Sequence, residues 1–215
     1  MGVTTFAAIY VGSYEVSLKI FEISEKRKIR TVDFIRSRVE LGKDVFHGGG
    51  VGYELVDDVC DVMLEFCGIM DGYRVDAYEA YAGPALYHAA NCLFVLDQIE
   101  RRTGIRLKLL RNSEHRFLSY KCATSKPEFD RMTGESAAFV NVGGGELQIT
   151  LFVHGAVLTT QHLVLGTMRL AQLFPNGSMR PEHMRKQMKE LIDKEMSVFK
   201  AQYYQNRTIK YLILT

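Results

Sequence analysis

Apolar positions along the first forty residues run or alternate over Phe6–Gly12, Tyr14–Ile23 and Lys28–Leu41, interrupted by Gly12-Ser13 and by the charged stretch Ser24-Glu25-Lys26-Arg27. Runs of that length bounded by turn residues predict three strands in an antiparallel meander. After Gly48-Gly49-Gly50 the period becomes helical, with Leu55, Val59, Val62, Met63 and Phe66 on one face. A strand over Arg74–Tyr81 follows, then a helix carrying Leu86, Ala89, Ala90, Leu93, Phe94 and Leu96. Ile105–Leu110 reads as another strand, and Ser113 as the N-cap of a helix reaching about Cys122. The predicted order is β-β-β-α-β-α-β-α.

Ala123–Ser136 is polar, holds Pro127 and Gly134, and has no period, so it reads as a linker between a first domain over residues 1–125 and a second over 126–215. The opening pattern then returns. Ile9-Tyr10-Val11-Gly12-Ser13-Tyr14-Glu15-Val16 falls on Val140-Asn141-Val142-Gly143-Gly144-Gly145-Glu146-Leu147, strand, glycine turn and strand in both copies. Each copy's third strand ends in Leu-Gly, at Leu41-Gly42 and Leu165-Gly166, before a helical segment. A long helix begins near Pro181, with Met184, Met188, Leu191, Ile192, Met196 and Phe199 on one face. Ile209–Thr215 then matches the fourth strand of the first copy, so the second lobe is expected to be incomplete in this chain.

With 215 residues, 47% hydrophobic and 24% charged, the chain has material for a sizeable core, which excludes disorder and coiled coil. A net charge of +2 supplies no strong field toward nucleic acid or an anionic membrane, so neither is an expected partner. Cys60, Cys67, Cys92 and Cys122 form no CxxC pair and read as reduced packing residues. The start has no basic n-region before its apolar run, and no apolar run reaches a membrane span, so a cytoplasmic protein is expected. The six histidines lack metal-ligand spacing.

Candidate chemistry lies in the duplicated turns. A strand, a tight glycine turn and a return strand expose backbone N–H groups with no side chain in the way, a nest that suits phosphate oxygens. Two such nests could hold a polyphosphate or a nucleotide. The segments AAIYVGSYEV, VELGKDVF, AYAGPALYHAAN, TGIRLKLLRNSEHRFLSY, VNVGGGELQIT and LVLGTMRLAQLF occur in this order. With them the chain resembles the exopolyphosphatase and guanosine pentaphosphate phosphatase family. That resemblance implies an α/β fold of two ribonuclease-H-like, actin-like lobes with a cleft between them. It also implies release of terminal phosphate from polyphosphate or guanosine pentaphosphate by water attack.

The resemblance puts the family's water-activating glutamate on Glu114 and phosphate contacts on Gly12, Ser13, Gly143, Gly144, Gly145 and Arg169. His115 follows where the family often has a second acidic residue. Magnesium is the implied cofactor, and its family carboxylates fall on Asn141 and Gln148 in the second loop. The first loop's aspartate is replaced by Tyr10, the next loop positions by Tyr14 and Glu15, a Ser-Thr pair by Glu146-Leu147, and an arginine by Tyr87. A hard, small cation prefers carboxylates, and Glu146 repels phosphate at its own nest, so charge at the expected metal site falls. The alternative is a family member that binds nucleotide, polyphosphate or a protein partner without hydrolysis. Tyr203-Tyr204 is a candidate homodimer contact.

Overall fold

The computed structural model describes residues 2–26, 28–124, 127–175, 177–204 and 207–215. The chain folds as two compact units, the first reaching to Arg116 and the second running Phe117–Thr215.

In the first unit β1 (Val3–Val11), β2 (Glu15–Ser24) and β3 (Ile29–Arg38) form the expected meander. With β4 (Ala77–Ala82) and β5 (Lys108–Leu109) they make a five-stranded sheet of order β3-β2-β1-β4-β5, in which β4 pairs parallel to β1. Alternation decides which side is dry: Ala7, Ile9, Val11, Val16, Leu18 and Ile20 share one face and are buried. Against them lies α2 (Tyr53–Gly72), whose Val56, Val59, Cys60, Met63, Phe66 and Met70 recur at helical spacing and are buried. The short α1 (Leu41–Gly48) follows the third strand directly.

The single helix expected across Leu86–Leu96 is two, α3 (Pro84–Tyr87) and α4 (Cys92–Thr103). Between them Asn91 accepts a hydrogen bond from the Val51 N–H at 2.9 Å and donates one to the Val51 C=O at 2.8 Å. Its amide thus pairs with backbone as a neighbouring strand would, which fixes the corner and ends helical propagation. The buried face of α4 consequently becomes Cys92, Val95 and Ile99, while Leu93 stands 80% exposed.

In the second unit β6 (Ser136–Val142), β7 (Leu147–Val153), β8 (Ala156–Leu163) and β9 (Tyr211–Leu214) form a sheet of order β8-β7-β6-β9. The repeat holds strand for strand: β9 pairs parallel to β6 as β4 does to β1, and the second sheet has four strands where the first has five. The β7–β8 turn places His154 and Gly155 at φ of 51° and 79°, left-handed conformations that fit the tight hairpin.

Helix α5 (Asn112–Thr124) crosses from the first unit to the second. The segment expected to be an aperiodic linker contains α6 (Pro127–Glu135), with Pro127 at its first position; Ser125 and Lys126 lie outside the described residues. Phe129 and Met132 of α6 and Tyr120 of α5 pack with Ala137, Phe139 and Phe152 on one face of the second sheet. Among the described side chains of α6, Phe129 and Met132 meet that core, too few to show a period in a nine-residue helix.

On the opposite face Ala138, Ile149 and Leu151 meet Met196 and Phe199 of α8 (Pro181–Phe199). Tyr203 and Tyr204, in the π-helical turn Lys200–Tyr204 that continues it, pack on the same core. The short α7 (Thr167–Leu173) follows β8. No helix among the described residues is long and apolar enough to cross a membrane.

Candidate functional site

The two glycine turns are built alike. After β1 the Gly12 N–H donates to the Glu15 C=O at 2.9 Å, and after β6 the Gly143 N–H donates to the Glu146 C=O at 2.9 Å. Each turn is then pinned by the segment after its own third strand. The Gly42 N–H donates to the Ser13 C=O at 2.7 Å, while the Thr167 and Met168 N–H groups donate to the Gly143 and Gly144 carbonyls at 3.0 and 2.9 Å. The Arg169 N–H also reaches the Gly144 C=O, at 3.3 Å. The loop's carbonyls thereby take up the first amides of α7, and that helix end is not open to an anion. The open donors are the loop amides themselves: those of Ser13, Gly144 and Gly145 meet no acceptor among the described residues.

Gly166 explains the close docking of the second turn. A Cβ there would overlap the Gly144 carbonyl oxygen, the Gly145 carbonyl carbon and the Glu146 nitrogen, all backbone atoms. The Leu-Gly signal of the sequence is thus a requirement for close backbone approach.

Around the first turn, Tyr10 projects on the sheet face opposite the core, where its parallel neighbour is Tyr81 and the next residue on that face is Gly83. The phenol lies against Gly83, where a Cβ would overlap its hydroxyl oxygen. It also stacks on His115 of α5, with ring centroids 5.9 Å apart at 26°. Burial pushes the Tyr10 hydroxyl up to about 12 by disfavouring the charged phenolate. Where the family resemblance expects a carboxylate, an aromatic ring therefore fills the space.

Glu114 stands exposed in the first turn of α5 and accepts the Arg111 N–H at 2.8 Å. The helix begins at Asn112, so Ser113 lies within its first turn, and the cap is a carboxylate reaching back from the third helical position. One carboxylate oxygen is held by that bond, which fixes how the group presents its other oxygen.

The second turn opens onto a polar row. Asn141 on β6 is registered opposite Gln148 on β7, which is opposite His162 on β8, so the three side chains share one sheet face. The row continues through Thr150, Thr160 and Tyr120, whose hydroxyls hydrogen-bond one another. The Asn141 side-chain amide reaches the Ser119 hydroxyl at 3.5 Å, and His162 Nδ1 lies 3.0 Å from Glu146 Oε1. Gln148 is 2% exposed, and its Nε2 has no hydrogen-bond partner among the described residues. Tyr87, at an expected arginine position, is 40% exposed and packs edge-on against His88.

These residues do not fit magnesium well. Asn141 and Gln148 offer neutral amides, and no group of three or more His, Cys, Asp or Glu able to hold a metal occurs among the described residues. Mg²⁺ in proteins normally retains one or two carboxylates beside phosphate oxygens.

Of the sequence-derived candidates, the structure gathers Asn141, Gly143, Gly144, Gly145, Gln148 and Arg169 around the second turn. Around the first it places Gly12 and Ser13, with Glu114 capping α5 next to the His115 that stacks on Tyr10. It adds Gly83, Gly166 and His162, which the sequence reading left unassigned. For His162 a signal existed: a tight turn at His154-Gly155 sets β8 back along β7 and brings it opposite Gln148.

Comparison with known proteins agrees with the duplicated fold. The sequence profile of the Ppx/GppA phosphatase family matches residues 19–212. No curated protein matches the chain. An exopolyphosphatase from Cytophaga hutchinsonii superimposes with a TM-score of 0.82 at 21% identity, over 98% of this chain and 66% of that one. A Ppx/GppA family member from Aquifex aeolicus does so with a TM-score of 0.71 at 20% identity, over 99% of this chain and 66% of that one. The PilM–PilN type IV pilus biogenesis complex gives a TM-score of 0.64 at 7% identity, over 98% of this chain and 80% of that one. At these identities the likeness is one of fold, and the chain spans 66% of the length of the first two.

Proposed function

This chain belongs to the Ppx/GppA phosphatase family, and on that premise we propose that it is an exopolyphosphatase-type phosphohydrolase. Its substrate would be the terminal phosphoryl group of inorganic polyphosphate or of a guanosine polyphosphate. The observation that carries this reading is the pair of like-built turns with open amides at Ser13, Gly144 and Gly145. Backbone N–H groups already fixed in place stabilise charge on phosphoryl oxygens without having to reorient during the reaction.

In this reading Glu114 orients the attacking water. Its Arg111 bond leaves one oxygen to accept a water proton, while the water oxygen attacks phosphorus in line with the departing phosphate. Magnesium, when bound in the family, neutralises phosphate charge; here the amides of Asn141 and Gln148 stand where that role needs carboxylates. Several charge-stabilising groups are replaced, and loss of even one typically costs about 10²–10³-fold in rate, so turnover is slow. The four cysteines are all free thiols, in keeping with a cytoplasmic setting.

One observation favours a second reading, binding without hydrolysis: Tyr10 fills the first-turn position between Gly83 and His115. Phosphate release from long-chain polyphosphate and guanosine pentaphosphate, by the wild type and the Glu114→Gln variant, decides between them. Release that disappears in Glu114→Gln supports hydrolysis. No release, with thermal stabilisation by the same compounds, supports binding alone. Neither effect rejects both.

A further inference from the structure

We infer that the second turn takes phosphate oxygens without a divalent cation, through Gln148 acting as a hydrogen-bond donor together with the Gly144 and Gly145 amides. This rests on the phosphate reading above and names how that site recognises its ligand.

A primary amide buried to 98% with an unused N–H is out of keeping with the rule that buried polar groups are paired. Leaving such a donor unsatisfied is costly, so its retention points to an acceptor other than the described residues. Its surroundings say what that acceptor is. Register puts Gln148 on the same face as Asn141 and His162, at the end of β7 that enters the glycine turn. Two loop amides in that turn also lack acceptors among the described residues.

A cluster of donors calls for an oxygen-rich anion, whereas a magnesium ion calls for acceptors with negative charge. The one carboxylate at the turn, Glu146, is engaged by His162 Nδ1 at 3.0 Å. The donor that carries the site is thus chemically inverted relative to a metal ligand: its N–H contacts phosphate oxygen directly.

The test is calorimetric titration of the full chain with a tripolyphosphate whose bridging oxygens are replaced by nitrogen, so that it is not hydrolysed. It is run in EDTA and again in excess Mg²⁺. Affinity that agrees within about threefold between the two conditions is the expected result. Gln148→Leu then weakens binding about tenfold in both, the value of one hydrogen bond to a charged acceptor. Gln148→Glu abolishes binding in EDTA and makes it depend on Mg²⁺.

Binding by the wild type only in Mg²⁺ overturns the inference while leaving the phosphate reading standing. No binding in either condition overturns both. Equal binding by wild type and a folded Gln148→Leu variant, verified by circular dichroism, removes Gln148 from the site. The paired wild-type titrations need no variant to fold.

Discussion

The two glycine turns share a backbone and differ in what surrounds it. In the first, the residue two before Gly12 is Tyr10, whose ring lies against Gly83 and stacks on His115. In the second, the residue two before Gly143 is Asn141, which begins a row of polar side chains that includes Gln148, whose Nε2 has no hydrogen-bond partner among the described residues. Both turns are pinned by backbone hydrogen bonds, with an aromatic side chain beside the first and the close backbone approach at Gly166 beside the second. The two copies thus share the peptide geometry, which main-chain hydrogen bonds enforce, while the side chain beside it is aromatic in one copy and an amide in the other.

Substituting the two contact glycines breaks that symmetry most strongly. In Gly166→Ala the new methyl meets three backbone atoms that cannot move without undoing the turn, and a loss of about 3 kcal/mol from the second unit is expected. In Gly83→Ala the nearest atoms to the methyl belong to the Tyr10 ring, a side chain rather than backbone, so the cost is smaller, about 1–2 kcal/mol. Urea melts followed by circular dichroism give both values. Gly83→Ala on a Tyr10→Ala background should then cost nothing further, whereas no side-chain change rescues Gly166→Ala.

Tyr10 gives the first unit a pH signature of its own. Its hydroxyl is raised by burial to about 12 in the fold and ionises near 10 in the unfolded chain. Between those values the unfolded state has released a proton that the folded state keeps. Stability is therefore full below about pH 10 and falls by on the order of 2–3 kcal/mol as pH rises to about 12. The difference in melting between wild type and Tyr10→Phe isolates this loss from the other tyrosines: the curves run parallel below pH 10 and converge or cross above it. Parallel curves throughout would mean that the phenol is solvated.

Much of this architecture is legible in the order of residues because it rests on local rules. Alternation marks β1, β2 and β3, helical spacing marks α2 and α8, and the repeated strand, glycine turn and strand exposes the duplication. What escapes is long-range. Nothing near Asn91 shows that its amide will bind Val51, forty residues earlier, and divide a helix in two. Phe129 and Met132 form too short an apolar stripe to announce α6 inside a polar segment. At the turns, the residues Tyr10, Asn141 and Gln148 are readable from the sequence. Their surroundings, Tyr10 against Gly83 and Gln148 beside His162, depend on strand register and on the absence of a side chain at a distant glycine.

The smallest effect on stability carries the most about mechanism. Glu114 caps the start of α5 by accepting the Arg111 N–H at 2.8 Å, a contact worth about 0.5–1 kcal/mol. Glu114→Ala removes both the cap and the carboxylate, so a loss of activity in that variant would confound helix fraying with chemistry. Glu114→Gln separates them, because its side-chain oxygen still accepts the same N–H while its charge is gone. The expected outcome is melting within about 0.3 kcal/mol of wild type, together with loss of phosphate release. If Glu114→Gln instead keeps its activity while Glu114→Ala melts earlier, the carboxylate serves only to start α5. The two turns would then differ only in how they hold phosphate, with no water-activating group supplied by Glu114.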